Sequence, residues 1–390
     1  MEVIIIGCGI TGTTAARYLA ERGFRIKIYE KRNHIGGNCY DKFEDNQILI
    51  HQYGPHVFFT DNEQVWNFIS RFSLWSEYRS KAYVKIDDKY LSMPFNFQTF
   101  DEIYPEKSKE LRIELQKEYN GKRNIYILEM LQSECDIIRE AAKMLYKKDY
   151  LPYNMKQWGL KPEQIDFSVT ARIPVRLSYD DNLKDNKYQY MPNEGFTKMF
   201  ERMLAHENIS VQVNTNVSDV DSLLKGKIVL YTGRLDKLYD FEFGELSYRT
   251  LDFKKQVVQG GENDLGSLVV YYPSLECGYT RKTDYRYLHN NFEQNGSIII
   301  SEFPMDYHDN EEEPFYVVLT NDSKIKYSKY LDKSKSKKNL FVAGRLADYK
   351  YYNMDDAVAR GLEIAQQIEQ YIMNGEKNDD KRSKRICKER

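Results

Sequence analysis

The chain has 390 residues, a formal net charge of −2 and a sequence pI near 6.4. This length exceeds what one hydrophobic core usually supports, so we expect two or three packed units. The near-neutral charge gives no general attraction to nucleic acid or to an anionic membrane. No apolar run approaches the roughly 20 residues of a membrane helix, so we expect no nucleic acid partner and no membrane insertion.

Five cysteines are scattered along the chain without a Cys-x-x-Cys pair. No histidine stands at metal-ligand spacing from them, so we expect neither a bound metal nor a disulfide framework. The first predicted strand begins at Glu2, which leaves no room before it for a signal peptide. We therefore expect a cytoplasmic protein with reduced thiols.

The first 30 residues predict a strand, a tight turn, a helix and a second strand. In the turn, Gly7, Gly9 and Gly12 form the pattern G-x-G-x-x-G. Gly9 lets the backbone approach a pyrophosphate, and the positive end of the helix then meets the phosphates. Glu30 ends the second strand and can accept hydrogen bonds from ribose hydroxyls. This pattern predicts dinucleotide binding, with a purely structural turn as the alternative.

A glycine pair, Gly36-Gly37, follows in the stretch IYEKRNHIGGNCYD, residues 28–41. A nicotinamide site of this type does not require a second glycine turn after the ribose-binding acid. FAD lies extended and needs backbone close to its isoalloxazine end, so the spacing resembles FAD enzymes built like amine oxidases and hydroxylases. The late stretch LFVAGRLADY resembles another FAD element of that fold. A loop turn without a ligand is the alternative.

Apolar residues at spacings of three and four predict helices through most of residues 62–158. Between these helices, SKAYVKIDDKYLSMPF predicts a hairpin with two aspartates at its turn. Residues 164–194 show little periodicity and predict a long mobile loop. Residues 250–320 alternate as strands, and the charged tail predicts disorder.

We divide the chain into segments on this basis, with a discontinuous FAD-binding domain. The segments are the first part of the FAD-binding domain (1–75), a mainly helical insertion (76–158), the mobile loop and entry to a sheet domain (159–194), a return to the FAD-binding domain (195–235), an antiparallel sheet domain (236–320), the C-terminal part of the FAD-binding domain (321–372) and a charged disordered tail (373–390).

The motifs KRNHIGGN, YGPHVFFT, KQWG, RIPVR, FGELSYRTL, YTR, EPFY and GRLADYKYYNM occur in this order. Together they resemble the family of bacterial UDP-galactopyranose mutases, and KQWG and RIPVR are not general FAD signatures. The resemblance implies an α/β fold: a Rossmann-like FAD-binding domain with an inserted helical domain and an antiparallel six-stranded sheet domain. It places the active-site cleft between these units and implies a homodimer.

By this resemblance the chain is an intramolecular transferase that interconverts UDP-galactopyranose and UDP-galactofuranose. It requires reduced FAD, whose N5 attacks the anomeric carbon, expels UDP and forms a flavin–sugar adduct in which the sugar ring opens and recloses. NAD(P)H is the expected cellular reductant. The product supplies furanose donors for cell-surface polysaccharide.

The resemblance also assigns roles to individual residues. The expected catalytic residues are Arg176, Arg281 and His56. The two arginines match diphosphate-binding residues, since a leaving diphosphate needs fixed cations where no metal site is evident, and His56 matches the family histidine beside the flavin. The expected substrate-binding residues are Tyr153, Trp158, Arg176, Tyr188, Arg281, Tyr316 and Tyr351. The expected cofactor-binding residues are Gly7, Gly9, Thr11, Gly12, Glu30, Lys31, Gly36, Gly37, Asn38, His56, Arg249, Gly344, Arg345 and Met354.

Pro55 and Phe59 depart from the pattern that we expect in the family, which leaves the identity of the sugar open. A mutase for a related nucleotide sugar, such as UDP-N-acetylgalactosamine, is therefore an alternative. An FAD oxidoreductase is another, although amine substrates do not require a diphosphate clamp. A non-catalytic module like the prenyl-protein escort proteins is a third, and the intact FAD glycines argue against it.

Overall fold

The structure, a computed structural model, describes residues 2–44, 47–161, 173–288, 291, 295–307 and 313–386. No helix within these ranges combines the length and apolar character that crossing a membrane requires. The same residues contain no group of three or more His, Cys, Asp or Glu side chains that could hold a metal ion.

A five-stranded parallel sheet is assembled from three separate parts of the sequence. Its strands, in spatial order, are β12 (Ile209–Gln212), β2 (Arg25–Tyr29), β1 (Glu2–Ile6), β13 (Ile228–Tyr231) and β19 (Leu340–Val342). The central strand β1 is buried on both faces, with Ile5 in one apolar core and Ile4 in another. Burial on both faces explains its unbroken apolar sequence. The predicted Rossmann-like fold is confirmed.

Two helices lie against this sheet and cross each other closely. They are α1 (Ile10–Ala20) and α12 (Met354–Ile386). A Cβ atom at Gly361 of α12 would lie only 2.8 Å from the carbonyl oxygen of Thr11 in α1, so glycine permits this approach. The late helix thereby brings the residues that follow β19 to the turn between β1 and α1.

A seven-stranded sheet replaces the six-stranded antiparallel sheet that the resemblance implied. Its strands, in spatial order, are β18 (Tyr316–Val317), β14 (Tyr248–Val258), β17 (Ser297–Asp306), β16 (Arg281–Asp284), β15 (Val269–Tyr271), β7 (Ala82–Ile86) and β8 (Lys89–Met93). Strands β7 and β15 are parallel, and the other neighbours are antiparallel. The predicted hairpin around Asp87-Asp88 forms, but it belongs to this sheet because β7 pairs in parallel with the edge of β15.

The inserted segment is mainly helical, as predicted. Its helices are α2 (Glu63–Ile69), which precedes the β7–β8 hairpin, then α3 (Phe97–Ile103), α4 (Ser108–Glu118), α5 (Ile127–Leu131), α6 (Asp136–Leu145) and α7 (Leu151–Trp158). A π-helical turn over Tyr146–Tyr150 joins α6 to α7. Gly159, with φ +64°, ends α7 in the left-handed conformation that glycine favours.

Short elements complete the structure. The remaining strands are β3 (Asp41–Phe43) paired with β4 (Leu49–His51), β9 (Asn124–Ile125) paired with β10 (Val175–Arg176), and a three-stranded sheet of β5 (Phe58–Thr60), β11 (Tyr188–Pro192) and β6 (Trp75–Glu77). The remaining helices are α8 (Phe196–Leu204), α9 (Val220–Leu223), α10 (Leu235–Leu238) and α11 (Asn321–Ser336).

Two predicted irregular segments differ from the structure. Within the predicted loop 164–194, residues 162–172 lie outside the described part of the chain, while β10 and β11 are strands because β9 and β5 offer antiparallel partners. The tail predicted to be disordered from residue 373 continues α12 to Ile386, and its Glu, Lys and Arg residues have high helix propensity. Residues 387–390 lie outside the described residues.

The glycine turn at the start of α1 generates a stability prediction. An alanine at position 12 would place its Cβ 2.2 Å from the carbonyl oxygen of Gly7 and 3.2 Å from Ile5. We expect Gly12→Ala to lower the free energy of unfolding by about 3 kcal/mol, since buried backbone cannot move aside without strain. Circular dichroism during thermal unfolding measures this as a lower Tm.

The matched control is Gly375→Ala, the same substitution in α12. A Cβ at Gly375 would have no heavy atom of the described residues within 4 Å. This variant should gain up to about 1 kcal/mol from helix propensity. Equal Tm values for Gly12→Ala and the wild type would contradict the packing role of Gly12.

Candidate active site

A cavity of about 800 Å³ lies between the parallel sheet, the seven-stranded sheet and α7. Residues from all three units line it, although they are far apart in the sequence. Most of the residues predicted for the site are among them: Gly7, Gly9, Thr11, Gly12, Glu30, Lys31, Gly36, Gly37, Asn38, His56, Tyr153, Trp158, Arg176, Arg281, Tyr316, Gly344, Arg345, Tyr351 and Met354.

One end of the cavity is formed by the turn before α1 and the end of β2. Gly9 is the N-cap residue of α1 and has no side chain to occupy the N–H groups of the first turn. The carboxylate of Glu30 accepts hydrogen bonds from the main-chain N–H of Cys8 at 2.7 Å and of Arg32 at 2.9 Å. These contacts fix the carboxylate at the end of β2, beside the positive end of the helix.

The glycine pair at 36 and 37 packs directly against this turn. The N–H of Gly36 donates to the carbonyl of Cys8 at 2.9 Å, and Gly36 and Gly37 have φ values of +87° and +58°. A Cβ at Gly37 would lie 2.9 Å from the Cα of Gly9. The pair therefore brings two stretches of backbone together at the cavity wall, in a conformation that side chains disfavour.

The segment after β19 faces the same end of the cavity, and Asp348 holds it in place. The N–H of Gly344 donates to Asp348 Oδ2 at 2.9 Å, and Arg360 Nε and the Tyr352 hydroxyl donate to the same oxygen at 3.0 Å each. Sequence reasoning missed Asp348. The signal was an acidic residue four positions after Gly344, the glycine that follows β19.

Arg281 is a cation of the cavity wall that pairs with a buried carboxylate. Its Nε donates to Glu302 Oε2 at 2.6 Å, and Glu302 is only 1% exposed. Although burial alone lowers the pKa of Arg281, Glu302 and nearby tyrosines raise it well above its ordinary value. Burial raises the pKa of Glu302 despite the opposing effect of Arg281. Glu302 was not predicted, because alternation along β17 gives it no distinguishing signal.

Arg176 lines the cavity but is already paired with carboxylates. It lies on β10 with 1% of its surface exposed. Its guanidinium contacts Asp185 at 2.7 Å, Asp180 at 3.1 Å and the carbonyl of Asn182 at 2.6 Å. In this conformation the carboxylates of Asp180 and Asp185, in the segment after β10, balance the positive charge of Arg176.

Aromatic rings form the wall around Arg281. The rings of Tyr153 and Tyr271 lie 5.7 Å apart, and those of Trp158 and Tyr316 lie 5.8 Å apart, both edge to face. Tyr316 also stacks on Tyr351 at 6.0 Å. Burial raises the pKa of Tyr316 to about 12, so its hydroxyl stays protonated at neutral pH. Tyr271 was not predicted.

His56 follows β4 and lines the cavity near this wall. Its main-chain N–H donates to His51 Nδ1 at 2.8 Å. Its own Nδ1 has no hydrogen-bond partner among the described residues. Burial, followed by the effect of His51, lowers the pKa of His56 to about 3. The imidazole is therefore neutral near pH 7.

Two predicted site residues lie away from the cavity lining. Tyr188 is on β11, where its ring stacks on Trp66 at 5.0 Å because the three-stranded sheet directs it there. The guanidinium of Arg249 contacts Asp306 and donates to the carbonyl of Gln157 at 3.3 Å. Arg249 therefore binds the carbonyl end of α7, a common role for a cation at a helix C-terminus.

The parallel sheet, the glycine turn and the carboxylate at the end of β2 define the class of protein: one with a Rossmann-like dinucleotide-binding domain. Residues 5–72 match the NAD(P)-binding Rossmann-like domain family, and residues 148–351 match the UDP-galactopyranose mutase family. The chain is 36% identical to dTDP-fucopyranose mutase of Escherichia coli, over 94% of this chain and 97% of that protein. It is 33% identical to UDP-galactopyranose mutase of Mycoplasma genitalium, over 94% of each chain.

The fold is also similar to solved structures. A crystal structure of reduced UDP-galactopyranose mutase has a TM-score of 0.73 at 16% identity and covers 95% of each chain. A crystal structure of a protoporphyrinogen oxidase homologue from Exiguobacterium has a lower TM-score of 0.58. The chain belongs to the UDP-galactopyranose mutase family and is thus an enzyme of the isomerase class.

His51, which accepts a hydrogen bond from the main chain of His56, leads to a prediction of how stability depends on pH. It is 1% exposed, and burial lowers its pKa from 6.5 to about 3. Between these values the unfolded chain binds a proton that the folded chain does not, so acid favours unfolding. We expect this histidine to remove about 1.4 kcal/mol of stability for each pH unit below 6.5.

The substitution His51→Asn keeps an acceptor for the N–H of His56 and removes the titrating group. Urea unfolding at pH 7, 6 and 5 should therefore show a shallower loss of stability in this variant than in the wild type. Parallel pH dependences would contradict the assignment of a buried neutral imidazole to His51.

Proposed function

We propose that this enzyme interconverts UDP-galactopyranose and UDP-galactofuranose and requires reduced FAD. Membership of the mutase family supports ring isomerisation of a nucleotide-linked hexose. The fold match to a UDP-galactopyranose mutase is consistent with this function, and the need for reduced FAD is an expectation from the family resemblance. The observation that carries the proposal is the Arg281 cation, held by Glu302 within an aromatic cavity that continues into a dinucleotide-binding turn.

The dinucleotide end of the cavity fits FAD. The start of α1 offers N–H groups to a pyrophosphate, Glu30 offers a fixed carboxylate to ribose, and the close contact of Gly37 with Gly9 leaves no side chain between these backbone stretches at the cavity wall. Arg345 and Met354 line the same cavity from the segment after β19. When bound and reduced, FAD supplies the nucleophile N5 for the anomeric carbon of the sugar.

The chain's own residues stabilise the departing diphosphate. This group carries about two negative charges and requires fixed cations and donors as the sugar–oxygen bond breaks. Arg281 supplies the cation, and Tyr153, Tyr316 and Tyr351 supply hydroxyl groups along the adjacent wall. Because Glu302 keeps the guanidinium in place, no reorganisation is needed when charge develops.

Arg176 and His56 complete the proposed machinery. Arg176 gives up its ion pairs with Asp180 and Asp185 and binds the diphosphate instead. The segment after β10 then closes over the sugar and excludes water. His56, a neutral imidazole with a ring nitrogen that has no partner among the described residues, orients the sugar or the cofactor by hydrogen bonding.

A related nucleotide sugar is the second candidate substrate. The relative that is 36% identical over most of the chain is a dTDP-fucopyranose mutase, which supports a substrate other than UDP-galactopyranose. Pro55 and Phe59 both line the cavity, so the two departures from the expected pattern lie where they can contact the ligand. UDP-N-acetylgalactosamine belongs to the same group of candidates.

The cellular setting is part of the same proposal and depends on the family resemblance. NAD(P)H reduces the flavin, the enzyme works in the cytoplasm as a homodimer, and its product supplies furanose donors for cell-surface polysaccharide.

A turnover assay tests the proposed function. Protein loaded with FAD and reduced with dithionite should convert UDP-galactofuranose to UDP-galactopyranose, and oxidised protein should not. Chromatography of a panel that also contains dTDP-fucopyranose and UDP-N-acetylgalactosamine identifies the preferred sugar. If none of these sugars changes ring form on the reduced, flavin-loaded protein, the proposed function is wrong.

The variant Arg281→Lys tests the role of Arg281 in the same assay. Lysine keeps a positive charge opposite Glu302 but loses the planar fork that binds phosphate. We expect turnover to fall by about 10-fold to 100-fold with unchanged flavin content. Undiminished turnover would remove Arg281 from the diphosphate site.

A further inference from the structure

Lys156 of the KQWG motif has no role in the proposed chemistry, yet its contacts are unusually dense. Its side chain extends from α7 to the connection between β15 and β16, residues 272–280. The ammonium lies within hydrogen-bond distance of main-chain carbonyl oxygens of that connection: Tyr272 at 2.7 Å, Ser274 at 2.6 Å, Cys277 at 3.0 Å and Tyr279 at 2.8 Å.

These carbonyl groups converge on a single positive charge. An ammonium has three N–H donors, so four carbonyls share them and surround the nitrogen as they would a monovalent cation. Without the charge, the negative ends of these dipoles would face one another at short distance. The conformation of the connection therefore depends on a cation at this point.

Both ends of the connection are cavity residues. Tyr271 precedes it and Arg281 follows it, and the two are cross-strand neighbours in the β15–β16 pair. On the helix side, Tyr153 stands three residues before Lys156 and contacts Tyr271 edge to face. Trp158, two residues after Lys156, also lines the cavity. Lys156 thus joins the helix that carries one wall to the hairpin that carries the other.

The contacts of α7 with the sheet do not all depend on Lys156. Arg249 independently binds the carbonyl oxygens of Gln157 at 3.3 Å and of Lys156 at 3.5 Å. Loss of the Lys156 ammonium therefore leaves the end of α7 attached to β14 and releases the hairpin connection. This separation makes the effect on Arg281 measurable without unfolding the helix.

We propose that Lys156 is a positioning residue, which fixes the β15–β16 hairpin on α7 so that Arg281 stays at a constant distance from the aromatic wall. The proposal rests on the proposed function, in which Arg281 binds the substrate diphosphate. Lys156 itself contacts neither substrate nor cofactor. Its effect on binding passes through the hairpin backbone.

The first test compares FAD-loaded wild type with Lys156→Met, which keeps an unbranched side chain one atom shorter and removes its charge. Hydrogen exchange of peptides covering residues 272–280, read by mass spectrometry, should become faster. The dissociation constant for UDP should rise by about 10-fold to 100-fold, as expected when a binding group is misplaced. Flavin content should not change.

Two further variants separate positioning from other effects. Lys198→Met removes an exposed lysine of α8 that pairs with Glu201, and it should match the wild type in every measurement. Arg281→Lys should weaken UDP binding without changing hydrogen exchange of residues 272–280. Together they distinguish general loss of charge, direct loss of the binding group and release of the hairpin.

The outcomes are distinguishable from failure of the proposed function. A Lys156→Met protein with a mobile hairpin but wild-type affinity for UDP would overturn the positioning role and leave the proposed function intact. Weaker UDP binding with an unchanged hairpin would also overturn it. A wild-type protein that binds neither UDP nor dTDP would instead refute the proposed function, and the positioning role with it.

Chemical rescue of Lys156→Ala provides a second test that does not depend on tolerance of methionine. Methylammonium fits the vacated carbonyl cage, whereas tetramethylammonium cannot donate hydrogen bonds and serves as the ionic-strength control. Methylammonium should restore UDP affinity and slow the exchange of residues 272–280. Equal behaviour in the two salts would contradict a requirement for a hydrogen-bonding cation.

Discussion

The ion pair between Arg281 and Glu302 is the interaction on which the site depends. A guanidinium in a cavity lined by tyrosines would lose much of its hydration, and the 2.6 Å contact with a carboxylate that is 1% exposed offsets that cost. In the proposed function, this ion pair holds the Arg281 guanidinium at the position where the substrate diphosphate binds. The aromatic wall, the hairpin below it and α7 are arranged around this point.

The dinucleotide end was largely predictable from the sequence, because its determinants are local. Gly7, Gly9, Gly12 and Glu30 lie within one β-α-β unit, where spacing along the chain translates directly into geometry. The contact of Gly37 with Gly9 was predictable only as a requirement for close backbone packing. Its partner proved to be the first glycine turn itself.

The parts that sequence reasoning could not place depend on contacts between distant segments. The β7–β8 hairpin belongs to the large sheet because β7 pairs with the edge of β15. No pattern within the hairpin sequence indicates this pairing. Arg249 binds the end of α7, and Tyr188 stacks on Trp66. Neither contact follows from the motifs, and the ligand roles that the family resemblance implied for both residues remain predictions. Glu302 and Asp348 were missed because a buried acid in a strand or loop resembles any other acid until its partner is known.

The central claim is that the nucleoside diphosphate departs from the sugar while Arg281 holds it, and then returns. Positional isotope exchange measures this directly, using UDP-galactose with ¹⁸O in the bond between the anomeric carbon and the phosphate. Reduced, FAD-loaded protein should move the label from the bridging to the nonbridging oxygens of that phosphate, as read by ³¹P NMR. Ring interconversion with the label fixed in the bridging position would contradict the account.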